Sequence, residues 1–246
     1  MESFSAFFHL LLYKPLFNVL VLLYQFLPGR DFGIAIISLT LLIKLALYPL
    51  GSESIKIQRA VQSIQPKIKE LQKKYKQDRQ KLAAETMDLY KKERINPFAG
   101  LFLSLVQIPI LIALWRIFWG GFQPEKLADV YSFLPNPGLI DPTFLGFLNL
   151  EKPSVILAVF AGISQFLQTK TMTPQTKKTK QEIKVGDAGA QFSSIMEKQM
   201  LYFFPFLTVF ILWKLPSALA LYWLVTALFS VVQQSVLLRK NNNQNT

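Results

Sequence analysis

Residues 32–50 read FGIAIISLTLLIKLALYPL, an apolar run whose only charge is Lys44. A helix needs about 20 mostly apolar residues to cross a hydrocarbon core about 30 Å thick. The run meets that length. Three further stretches do the same, at residues 97–118, 153–169 and 215–238. A fifth, 199–213, is shorter but strongly apolar, and Lys214-Leu215-Pro216 joins it to the last. That joint reads as a tight turn, with Pro216 at a first helical position. The expected fold is an all-α polytopic membrane protein with five transmembrane helices.

The composition agrees. The chain has 246 residues, 51% of them hydrophobic, and a mean hydropathy of +0.30, yet it carries 27 Lys and Arg against 15 Asp and Glu. Long apolar blocks with charges set between them exclude a disordered chain and weigh against a soluble enzyme. Without cysteine there is no disulfide, thiolate metal site, cysteine nucleophile or lipidated cysteine anchor. One histidine is too few for a histidine metal site and makes a Ser-His triad improbable. No cofactor, metal or enzymatic activity is expected.

Charge sets the expected orientation. Residues 51–95 hold 12 Lys and Arg, residues 170–198 hold 6, and the tail (239–246) holds Arg239 and Lys240. By the positive-inside rule these segments lie on the cytoplasmic side of the membrane, with the N-terminus outside. The segment 119–152 then becomes an external loop, with four acids against two lysines. The net charge of +12 is thus mostly a topology signal, and no specific nucleic-acid sequence recognition is needed to explain it.

Residues 1–31 are apolar on both sides of Lys14-Pro15, which separates them into two stretches. On a helix, Lys14, Asn18 and Gln25 share one face, a narrow polar stripe that fits a segment lying in the interface. A sixth span is the competing reading.

The insert 51–96 reads as a coiled helical hairpin. Ile57, Val61, Ile64, Ile68, Leu71 and Tyr75 are spaced 4-3-4-3-4, an a/d seam. Pro66 bends the first helix, Asp78 can cap the second, and Tyr90 belongs to the facing stripe. Asn96 can cap the next span, with Pro97 in its first turn. The loop 170–198, rich in Lys, Thr and Gln, reads as flexible, and the polar tail as disordered.

Polar side chains within the spans point to function. No Asp or Glu falls in any of the five, which counts against an ion-coupled transporter. Lys44, with Thr40 one turn above and Tyr48 one turn below, forms a stripe suited to a wet cavity. Snorkelling to the inner interface is the bland alternative. Ser104 and Gln107 on the second span, Gln165 on the third and Trp223 on the fifth can complete a hydrophilic groove open to the cytoplasm.

These motifs, in this order, resemble the YidC/Oxa/Alb family of membrane protein insertases, in its short bacterial form lacking a large external domain. Leu42-Ile43-Lys44-Leu45-Ala46-Leu47-Tyr48-Pro49-Leu50 resembles the family's first core span. Ile64-Gln65-Pro66-Lys67-Ile68 resembles the start of its hairpin, and Tyr90-Lys91-Lys92, Asn96-Pro97 and Gln107-Ile108-Pro109-Ile110 its second span. Gly162-Ile163-Ser164-Gln165 resembles the third span, and Leu215-Pro216-Ser217-Ala218-Leu219-Ala220-Leu221-Tyr222-Trp223 the final hairpin. The resemblance implies an insertase and chaperone for nascent membrane proteins, working alone or with the Sec translocon. Its partners would be the ribosome, a targeting receptor, Sec and the lipid bilayer. Lys44, Thr40, Tyr48, Ser104, Gln107, Gln165 and Trp223 would line the groove, and the hairpin residues from Ile57 to Tyr90 would recruit clients or partners. The family's groove residue is typically arginine, where this sequence has Lys44. An assembly scaffold without insertase activity, and a transporter or channel, are the alternatives.

Overall fold

The structure is a computed structural model that describes residues 2–96, 98–119, 127–172 and 199–242. It begins with helix α1 (Glu2–Phe8), which passes through a π-helical turn (His9–Tyr13) into α2 (Lys14–Phe26). Lys14-Pro15 therefore does not split the segment as its sequence led one to expect. Pro15 removes the hydrogen bond that the Leu11 carbonyl would accept. The helix widens by one residue just ahead of it, Lys14 donating to His9, and continues. Phe17, Leu20, Val21 and Tyr24 are buried along this helix.

Asp31 caps α3 (Phe32–Ala46), its carboxylate accepting from Ile34 N–H at 2.9 Å. The chain then bends by 65° at Leu47 into α4 (Tyr48–Ser63). Pro49 explains the position of the break, since proline is tolerated in a first turn but not in a helix interior. The helical break thus falls before Tyr48-Pro49-Leu50, and these residues begin α4.

The insert continues as α5 (Gln65–Lys74), with Pro66 in its first turn, and α6 (Arg79–Lys92), capped by Asp78 through Lys81 N–H at 2.9 Å. Ile64 and Ile68 are buried, whereas Ile57, Val61, Leu71, Tyr75 and Tyr90 are half-buried. Lys67 pairs with Glu93 at 2.5 Å across the two helices. Asn96 does not cap the following helix. Its side chain accepts from Phe98 N–H at 3.0 Å, and α7 (Ala99–Phe118) starts one residue later. Pro97 lies outside the described residues.

Beyond α7 come the antiparallel pair β1 (Thr143–Phe144) and β2 (Leu148–Asn149), then α8 (Val155–Met172). A second π-helical turn (Gln199–Phe203) leads into α9 (Phe204–Leu212), and α10 (Ser217–Asn242) closes the described chain. Pro216 stands just before α10. The helix carries the basic tail as far as Asn242, further than its composition implied. The segment expected to be a flexible loop lies, from residue 173 to 198, outside the described residues, as do residues 243–246.

Among the described residues the fold is all-α apart from the β hairpin. Ser5–Phe26 and Ser217–Arg239 are each long and apolar enough to cross a membrane, and α3 with α4 qualifies as a bent pair. Leu105–Phe118, Val155–Thr171 and Leu201–Leu212 are shorter apolar helices. The core gathers where α3, α7, α8 and α10 meet near Phe32, Ile36, Leu114, Ile117, Ala158 and Leu219.

Candidate functional site

The polar residues of the apolar helices converge. A cavity of about 400 Å³ is lined by Lys44 and Leu47, by Gly51, Ser54, Ile55 and Gln58 of α4, and by Gln107, Ile108 and Leu111 of α7. Gln165 and Gln168 of α8 and Tyr222, Trp223, Thr226, Ala227, Ser230 and Gln233 of α10 complete it. These positions fall near the end of α3, along the middle of α4 and along the middle of α10. Lys44 and the α4 residues set the cavity toward the hairpin end of the bundle, and the buried core adjoins it around Tyr222, Leu111 and Leu219.

Lys44 is half-buried at the cavity wall, and its ammonium has no acid within ion-pairing distance among the described residues. Such a cation keeps its field available to an incoming group. The amides around it are held. Gln107 donates to the Tyr222 hydroxyl, fixing α7 to α10. Gln165 Oε1 accepts from Trp223 Nε1 and, at 3.1 Å, from the Thr208 hydroxyl, joining α8, α9 and α10.

Gln233 has a different task. Its Nε2 donates to the Tyr48 carbonyl at 3.0 Å and bonds the Ser52 hydroxyl at 3.1 Å. It lies so close to Gly51 that a Cβ there would come within 3.0 Å of it. The bend between α3 and α4 is thus clamped onto α10. Replacing Gln233 with Leu removes both bonds from these half-buried groups, and the expected cost is about 1–3 kcal/mol. Denaturant titration in detergent against the parent checks this, and an unchanged midpoint would rule out the clamp.

Four of the sequence-selected groove residues line the cavity: Lys44, Gln107, Gln165 and Trp223. Thr40 does not. It is buried, and its hydroxyl donates to the Ile36 carbonyl at 2.6 Å. Tyr48 lies beyond the bend and packs edge-on against Phe229, with ring centroids 6.5 Å apart. Ser104 belongs to α7, but its side chain falls outside the described residues. Sequence reading did not select Tyr222, Ser54 or Gln58 for the groove. Tyr222 follows directly from the seam it shares with Gln107, and the α4 residues arrive only through the bend.

A second cavity, of about 380 Å³, adjoins the first. Leu111, Ile112 and Trp115 form one wall, and Thr208, Ile211, Leu212, Leu215, Leu219 and Trp223 the rest. Leu111 and Trp223 line both cavities. A polar chamber and an apolar cleft between α7 and the α9–α10 pair therefore share a boundary.

Comparison with known proteins supplies the family. The profile of the family described as 60Kd inner membrane protein matches residues 22–244. The chain is 34% identical over 221 residues to a membrane protein insertase YidC of Wolinella succinogenes, covering 90% of this chain and 36% of that protein. It is 33% identical over 210 residues to a YidC of Fusobacterium nucleatum subsp. nucleatum, covering 85% and 87%. A YidC of Francisella tularensis subsp. novicida is 32% identical over 209 residues, covering 85% of this chain and 33% of that protein. The chain spans about a third of the length of the Wolinella and Francisella relatives and most of the Fusobacterium one. With the family profile matching almost the whole chain, and relatives above 30% identity, the chain belongs to the 60Kd inner membrane protein family, the YidC group that its motifs resemble.

Proposed function

We propose that this chain inserts and helps fold transmembrane segments of nascent membrane proteins. The observation that carries the reading is Lys44, with no ion-pair partner among the described residues, in a polar chamber that shares Leu111 and Trp223 with an apolar cleft. The chamber accepts the polar external segment of a client, drawn by the Lys44 charge. The client's apolar helix meanwhile lies along the cleft and passes into lipid. Burial of apolar area drives that passage, at about 25 cal/mol per Å². The membrane potential assists segments that carry negative charge outward. No covalent step is needed.

The same reading sets the topology, with the hairpin and the α10 end in the cytoplasm and five spans in a bacterial inner membrane. The N-terminal helix lies along the outer interface. His9, Asn18, Tyr24 and Gln25 hydrogen-bond the loop 129–141 along its length, Asn18 accepting from Tyr131 N–H at 2.7 Å and Gln25 donating to the Pro135 carbonyl at 2.7 Å. An irregular loop exposed to hydrocarbon would leave backbone groups unsatisfied, so a helix bound to one along its length belongs at the surface. Ribosome, targeting receptor and Sec translocon are the partners this function calls for, and the hairpin is their docking element.

Photocrosslinking from Gln107 to a ribosome-stalled nascent membrane protein tests the reading. The expected result is an adduct that depends on nascent-chain length and weakens with Lys44→Glu. A folded protein giving no adduct at any length would turn the assignment to an assembly scaffold. Deletion of residues 63–94 should weaken insertion and leave the spans folded. Loss of the deleted protein from the membrane fraction would contradict an independent hairpin.

A further inference from the structure

Leu145, Gly146 and Phe147 form the tip that links Phe144 to Leu148 across the β hairpin. Leu145 and Gly146 both adopt left-handed backbone, with φ of 53° and 75°. Glycine does so freely, whereas a leucine there crowds its Cβ against a carbonyl. The chain nevertheless carries a large apolar side chain at 145 and a second at 147. Neither turns inward, Leu145 being 58% exposed and Phe147 78%. Phe144 takes the inward position instead, packed so tightly on Gly33 that a Cβ there would come within 2.1 Å of its ring.

The contacts of the hairpin set its depth. Leu145 N–H donates to Asp31 Oδ2 at 2.5 Å, and Asp31 is the N-cap of α3. At the other side, the Leu150 carbonyl accepts from Ala218 N–H at 3.0 Å and the Lys152 carbonyl from Ser217 N–H at 3.1 Å, both at the start of α10. The tip is therefore tied to the level at which α3 and α10 begin. With those ends at the outer face, as proposed above, that is the level where hydrocarbon gives way to headgroups.

We infer that Leu145 and Phe147 are an outer-leaflet anchor, inserted among the upper acyl chains of the bilayer. Two of the tip's three amides are satisfied internally, Leu145 N–H by Asp31 and Phe147 N–H by the Phe144 carbonyl at 3.3 Å. Its backbone can thus approach hydrocarbon without exposing those donors. The side chains it presents are uncharged and apolar, the character of an interfacial lipid contact. The partner that fits is lipid.

The inference rests on the membrane placement proposed above, and the test separates the two. The chain has no cysteine, so single cysteines can report one at a time. Phe147→Cys, Leu145→Cys, Leu228→Cys on the exposed flank of α10 and Gln80→Cys on the cytoplasmic hairpin each carry an NBD fluorophore. The full chain is reconstituted in phosphatidylethanolamine and phosphatidylglycerol vesicles holding nitroxide lipids, labelled near the headgroup or deep in the chain. NBD at 145 and 147 should emit to the blue of the Gln80 site and be quenched more by the shallow nitroxide than by the deep one. Leu228 should show the opposite preference. Emission at 145 and 147 matching Gln80, with Leu228 quenched by lipid, would overturn the anchor and leave a water-facing tip or a protein contact. Absence of lipid quenching at Leu228 as well would overturn the placement of the bundle in the bilayer, and the anchor with it.

Discussion

Lys44→Glu should abolish insertion of clients whose external segments are acidic, with Lys44→Arg keeping or improving it. The magnitude follows from charge. At about 6 Å and an effective dielectric constant of about 20, a carboxylate and an ammonium attract by about 3 kcal/mol. Reversing the sign turns that attraction into a repulsion of similar size, a swing of about 5 kcal/mol. If it is felt in the rate-limiting entry of the client, this is more than about a thousandfold in rate. Among the described residues Lys44 has no acid within ion-pairing distance to buffer the reversal. Lys44→Gln should fall between, losing the attraction without adding repulsion. Clients with neutral external segments should be affected far less by any of the three. Protease protection of a client in proteoliposomes measures this directly. Equal protection with Lys44→Glu and with the parent would sink the charge mechanism and leave a snorkelling lysine. Loss of activity in Lys44→Arg would show that the site needs a compact ammonium rather than a positive charge.

Much of this arrangement is legible in the sequence, because a polar residue in an apolar run stands out against its neighbours. Lys44, Gln107 and Gln165 are found that way. What sequence cannot register is the direction of the chain after a break. Tyr48 follows Lys44 by one helical turn and by period alone shares its stripe. The 65° bend at Leu47 puts it in a different helix, where its ring meets Phe229 and its carbonyl meets Gln233. The same bend carries Ser54 and Gln58 to the chamber, although composition marks them only as part of a charged insert. Thr40 shows a second limit. A hydroxyl in a helix can satisfy itself on the carbonyl four residues back, so its polarity on a stripe says little about what the stripe faces. The N-terminal segment shows a third. Pro15 reads as a boundary, but one π turn absorbs it, a response that depends on tertiary packing on both flanks.

The second large effect belongs to Gly162, in the middle of α8. A Cβ at this position would lie 2.3 Å from Val209 Cγ2 and 3.2 Å from the Pro205 carbonyl oxygen of α9. Helices in a bilayer gain nothing from burying apolar surface against each other, so close backbone approach at small residues carries much of their association. Gly162→Leu should cost about 1–3 kcal/mol as an overpacked contact. It should also cost function, because pushing α9 outward pulls Thr208 from Gln165, and Gln165 holds the Trp223 indole at the boundary of chamber and cleft. The two contacts can be separated. Val209→Ala removes the nearer clash, so Gly162→Ala with Val209→Ala should recover part of the stability lost by Gly162→Ala alone. The remainder reflects the Pro205 carbonyl, which is backbone and cannot rotate away. Denaturant midpoints of the parent, the single variants and the double variant form a cycle whose coupling should be at least about 0.5 kcal/mol, as for residues in direct contact. A Gly162→Leu protein as stable as the parent, with its Gln107 crosslink to the client intact, would mean that α8 and α9 need not approach this closely to keep the chamber in shape.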